Sequence, residues 1–137
     1  MDQKDYLLRE IEKIGMIMSA IRQKLFGGGK DNLSITIQQQ RVDLKGMLLH
    51  NANLDFDRLM DLDAKGSDEY LSELKGFSVQ NIELLAETIS DIGHKSDSTT
   101  LLEKALQLFE ICNLRDRTFS IERENNISKI KSTLQHL

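Results

Sequence analysis

The stretch "SVQNIELLAETISDIGHKSDSTTLLEKALQLFEICN", residues 78–113, decides the fold. In its first part Ile82, Leu85, Ala86, Ile89 and Ile92 recur at steps of three and four, which places them on one face of a helix that starts at Ser78 and stops at Gly93. A polar turn, "HKSDST", separates it from a second helix. There Leu101, Ala105, Leu108, Phe109 and Cys112 make one apolar face while Leu102 and Leu106 begin another. A helix apolar on two sides must be sandwiched between neighbours. The segment "DRTFSIERENNISKIKSTLQHL" that follows supplies one neighbour: Asp116 is the expected N-cap, and Phe119, Ile127, Ile130 and Leu134 form a stripe opposite a charged side. The class is all-α, an αα-hairpin stack.

Nothing upstream contradicts this. The chain of 137 residues has no proline, so glycine punctuates it. Tyr6, Leu7, Ile11, Ile14, Met18, Ile21 and Leu25, widened by Ile17 and Ala20, predict a long amphipathic N-terminal helix over about residues 4–26. Gly15 inside it implies that another helix comes close there. "KLFGGGKDN", residues 24–32, ends that helix and forms a tether over 27–32. Short helices are expected over 33–77. "LSITI" alternates like a short strand, yet Ile37, Val42, Leu44, Leu48 and Leu49 favour a helix to about His50. Next comes a helix capped by Asn53 or Asp55, carrying Phe56, Leu59 and Met60 inward and ended by Gly66. Another follows, capped by Ser67 or Asp68 and closed by Gly76. Residues 1–137 are read as one helical domain, with the stack over 78–137.

Composition narrows the function. An apolar fraction of 39% and a charged fraction of 29% are those of an ordinary soluble chain, and no run approaches the roughly 18 apolar residues of a membrane span. The first residues interleave acids with apolar side chains, unlike a secretory leader, so the expected location is cytoplasmic and no membrane is involved. The net charge of −4 and the absence of tryptophan argue against nucleic acid. A single cysteine, Cys112, excludes an internal disulfide and a cysteine zinc site, and its apolar flanks predict a core residue.

Motifs for chemistry fail one by one. The Gly-Gly-Gly-Lys run lacks Walker spacing, follows a helix rather than a strand, and is followed by Asp31, which repels phosphate. Asp61, Asp63 and Gly66 match positions of a calcium loop, but Lys65 has the wrong charge and Ser72 replaces the bidentate glutamate. His50, His94 and His136 are scattered at expected helix ends, and no serine or cysteine sits in a nucleophile setting. No catalytic residue, cofactor site or metal site is assigned, and the chain is not expected to be an enzyme.

What remains is binding. Arg115, Arg117 and Arg123, beside Asp116 and Glu122, offer guanidinium groups to a partner's carboxylates, or else pair within their own turn. Ile14 and Met18, at the centre of the N-terminal stripe, offer a surface for a protein partner or for self-association. The "ALQLF" element, residues 105–109, with Ala86 and Gly93 at small-residue positions, resembles tetratricopeptide helical repeats over about residues 78–137. The resemblance implies a peptide- or protein-binding helical surface, although no ligand-clamp residues carry over. "DYLLREIEKIG", the Asp-rich middle and "LFEICNLRDRTFSIEREN" also resemble a group of small uncharacterised bacterial helical proteins, which implies no activity. The expected function is therefore an interaction or scaffold module. The alternative is a small-ligand regulatory protein with an inter-helix pocket and an arginine anion anchor.

Overall fold

A computed structural model describes residues 3–27 and 36–137. Those residues form seven α-helices and no strand: α1 (Gln3–Phe26), α2 (Ile37–Ala52), α3 (Phe56–Asp61), α4 (Ala64–Glu73), α5 (Val79–Ser96), α6 (Thr99–Arg115) and α7 (Ile121–Gln135). The chain is all-α. Apart from Gly27, whose N–H still bonds Gln23 O at 2.9 Å, the expected tether lies outside the described residues, as do the first three residues of "LSITI". Two compact units emerge, Met1–Asn81 and Ile82–Leu137.

In the first unit α1 packs on α2, and α2 on α3. Ile14, Met18, Ile21 and Leu25 of α1 are buried, as are Leu44, Leu48 and Ala52 of α2. Each large aliphatic side chain so placed contributes about 1.5–3 kcal/mol. The inward stripe of α1 starts later than its periodicity suggested, because Tyr6 and Leu7 are exposed. Tyr6 instead carries the Lys75 ammonium over its ring, 4.9 Å from the centroid.

Backbone polar groups on α1 draw in two amides. Buried Gln40 donates from Nε2 to Leu25 O at 2.9 Å, satisfying a carbonyl in the last turn of α1. Asn81 donates from Nδ2 to Ile11 O at 2.9 Å and to Gly76 O at 2.7 Å. The close approach implied by Gly15 is this one, since a Cβ there would come 3.3 Å from Asn81 Oδ1. Gly76 has a left-handed φ of +92° and presses on α1 so tightly that a Cβ would lie 2.4 Å from Glu10 O.

Of the caps that the sequence placed in the first unit, that of α3 falls where expected and that of α4 does not. Thr36 caps α2 and Asp55 caps α3, each accepting a backbone N–H three residues on, and Asn53 takes the left-handed conformation after α2. Asp63, rather than Ser67 or Asp68, caps α4 by accepting Gly66 N–H at 2.7 Å. Gly66 therefore lies in the first turn of α4 and does not end α3, which closes at Asp61. An aspartate N-cap beats a glycine stop here because its carboxylate satisfies an orphan donor. Val42 and Leu49, expected to support the inner face of α2, are more than half exposed.

In the second unit α6 packs on α7. Ile82, Leu85, Ala86, Ile89 and Ile92 are buried, joined by Leu101, Leu102, Ala105, Leu108, Phe109, Cys112, Ile127 and Ile130. Gly93 does not stop α5. The helix continues to Ser96, Asp97 adopts a left-handed φ of 50°, and Ser98 N–H returns to Gly93 O at 3.0 Å, a Schellman closure. What Gly93 provides is proximity, for a Cβ there would meet Leu102 Cδ2 at 3.0 Å.

Candidate interaction site

The arginine-rich turn between α6 and α7 is organised around one buried guanidinium. Asp116 ends α6, its N–H bonding Cys112 O at 2.8 Å. It is not the N-cap of α7, the role its sequence position suggested. That cap is Ser120, whose Oγ accepts Arg123 N–H at 3.2 Å. Asp116 folds its carboxylate onto the turn instead, with Oδ1 accepting Thr118 N–H at 3.0 Å.

Arg123, in the first turn of α7, is only 4% exposed. Its Nε donates to Glu83 Oε1 at 2.6 Å, its Nη1 to Asn113 Oδ1 at 3.1 Å, and its Nη2 lies 3.6 Å from Asp116 Oδ2. Asn113 Nδ2 in turn reaches Glu124 Oε1 at 3.5 Å. Burial works against the Arg123 charge, but the Glu83 hydrogen bond and its charge outweigh it, so the guanidinium holds its proton more firmly than usual. The Thr118 hydrogen bonds, aided by Arg123, hold the Asp116 carboxyl below the ordinary aspartate value.

Of the three arginines singled out by sequence, the structure thus commits Arg123 inward, leaves Arg115 half-buried and exposes Arg117. Their turn is an internal ion network that fixes the geometry of residues 113–123. On its outside stand large apolar side chains. Leu114 is 82% exposed, Phe119 73% and Ile121 67%. Phe119 was expected inside the stripe of α7, but it precedes the helix, so the helical spacing to Ile127 does not apply to it.

Ile14 and Met18 lie at 3% and 0% exposure, inside the first unit. The face of α1 that the sequence offered to a partner is therefore occupied within its own chain. An apolar groove of about 360 Å³ does open on α1 and α2, lined by Met16, Ile17, Ala20, Ile21, Lys24, Met47 and Asn51. None of the three arginines belongs to that lining.

Other reactive groups are quiet. Burial pushes the Cys112 thiol up to about 12, so it is protonated and unreactive. His94 is half-buried: its Nδ1 lies 3.4 Å from Thr133 Oγ1 and its Nε2 is buried without a partner, while burial, with help from Lys129, lowers its proton affinity. Asp63 is spent as a cap on a helix that occupies most of the stretch whose partial calcium-loop match the sequence argued against. Among the described residues no helix is long and apolar enough to cross a membrane.

Sequence reasoning missed Glu83 and Asn113, because the arginine meets them through folding, 40 and 10 residues away. A sequence signal for Ser120 did exist, since "SIERE" places a hydroxyl just before the acidic first turn of a helix. No protein-family model, no curated protein and no solved structure matches this chain.

Proposed function

We propose that this chain is a non-enzymatic protein-interaction module that presents the α6–α7 turn to a protein partner. The observation that carries the reading is the pairing, within one turn, of a buried ion cluster with exposed apolar side chains: Arg123 is held by Glu83 and Asn113, while Leu114, Phe119 and Ile121 are exposed, as is Arg117 between them in the sequence. Aromatic and arginine side chains on a preorganised loop lose little entropy on binding and dominate interface energetics. The resemblance of residues 78–137 to tetratricopeptide helices, which serve as binding surfaces, supports the same role. The lone buried thiol fits a cytoplasmic setting.

The test compares wild type with a Leu114→Ser, Phe119→Ser variant as parallel baits in native lysate, with bound proteins quantified by mass spectrometry. Both side chains are exposed, so each change alters stability by within about 0.5 kcal/mol. A partner retained by wild type and lost by the folded variant supports the reading. Identical captures by both overturn it.

A further inference from the structure

The outward face of α2 poses a question that its own fold does not answer. Gln40, Leu44, Leu48 and Ala52 make the buried side. On the opposite side Val42, Gly46 and Leu49 follow one another at helical spacing, with Val42 53% and Leu49 54% exposed. A glycine in the middle of a helix costs stability relative to alanine. Of the described glycines, Gly46 alone has open space where a Cβ would stand; Gly15, Gly27, Gly66, Gly76 and Gly93 each have a close neighbour. Its smallness serves nothing within this chain.

We propose that a second copy of this chain packs on this face, α2 against α2, antiparallel, with Gly46 at the two-fold axis. The helix edges select both the occupant and the direction. Helical geometry puts Val42 and Leu49 on one edge of the Gly46 line, and Asp43 and His50 on the other. A two-fold axis perpendicular to the helices lays each edge against its own kind in reversed order. Val42 then meets Leu49 of the second copy, and Asp43 meets His50 of the second copy, a hydrogen-bonding match of carboxylate and imidazole. A parallel pairing would set the apolar edge against the polar one. Gln39 already orients Asp43, its Nε2 donating to Oδ1 at 2.8 Å. Lys45, on the flank beyond Leu49, is held by Asp57, which keeps its charge off the contact. With no side chain at residue 46, the two backbones approach closely enough for both edges to engage at once.

Sedimentation velocity over a wide concentration range tests this on the full chain. The wild type sediments as a reversible dimer. Val42→Asp with Leu49→Asp gives a monomer of unchanged far-UV circular dichroism, because both positions are exposed. Gly46→Leu raises the dimer dissociation constant about tenfold or more while leaving the monomer's helicity intact or higher. Asp43→His weakens the dimer, and adding His50→Asp restores it, which only the antiparallel register explains. In a Cys112→Ser background, Gly46→Cys forms a disulfide-linked dimer on mild oxidation. A wild type that stays monomeric throughout overturns the proposal, as does a dimer that survives Val42→Asp with Leu49→Asp. So does a charge swap that fails to restore association.

Discussion

The two units hold their helices with different polar chemistry. In the first, the buried polar contacts to α1 are neutral amides: Gln40 on Leu25 O, and Asn81 on Ile11 O and Gly76 O. In the second, a buried guanidinium sits among two carboxylates and an amide, and buried Lys104 donates to Gln107 Oε1, with a half-buried histidine elsewhere on α5. An amide needs only geometry and desolvates at modest cost. An ion cluster must recover a larger desolvation penalty through several partners at once, and it responds to pH. Acid should therefore weaken the second unit while the amide contacts of the first are unaffected.

The largest effect is expected in the first unit, from backbone rather than polar chemistry. Gly76→Ala combines a left-handed φ with a Cβ 2.4 Å from Glu10 O, and is expected to destabilise by about 3 kcal/mol or more in urea unfolding. Next is Glu83→Gln, which leaves Arg123 buried without its nearest carboxylate. A cost of about 2 kcal/mol is expected, below that of a fully buried pair because Glu83 keeps 18% side-chain exposure. Asn81→Ala removes two amide bonds and should cost about 1–2 kcal/mol, with faster hydrogen exchange along α1 as its signature. If Glu83→Gln proved milder than Asn81→Ala, the contrast between the units would fail.

The pH response is the gentlest probe. His94 binds its proton less readily when folded, so its neutral form stabilises the fold in full above the ordinary value of 6.5, and that contribution is lost as pH falls below it. Asp116, also held low, contributes in full above its ordinary value of 3.8 and loses its share only on further acidification. Between those two values the histidine effect acts without the aspartate one. The thermal midpoint should drop from pH 7 to 5, and His94→Gln should flatten that drop. An unchanged slope in the variant would assign the response to another group.

Helix existence was legible in the sequence because apolar spacing reports which side chains share a face, and Ile14, Met18, Leu85, Leu108 and Ile130 are all buried as their spacing required. Helix ends were less legible. Gly93 and Gly66 read as stops, but glycine also permits close approach and first-turn placement, and only the neighbours, Leu102 and Asp63, decide which applies. Phe119 misled for a related reason: a periodic pattern holds only inside the helix, and Phe119 lies before the N-cap Ser120, with α7 beginning at Ile121. The composition of the Arg123 cluster was beyond sequence reach, since 22 acidic residues offer too many candidates for one guanidinium.

Cys112 gives this chain an internal clock. It is the only thiol, it is buried and protonated, and it lies in the second unit, while both tyrosines, Tyr6 and Tyr70, lie in the first. Alkylation of Cys112 can proceed only as fast as its surroundings open, so its labelling rate times that opening, and tyrosine emission follows the other unit with no probe introduced.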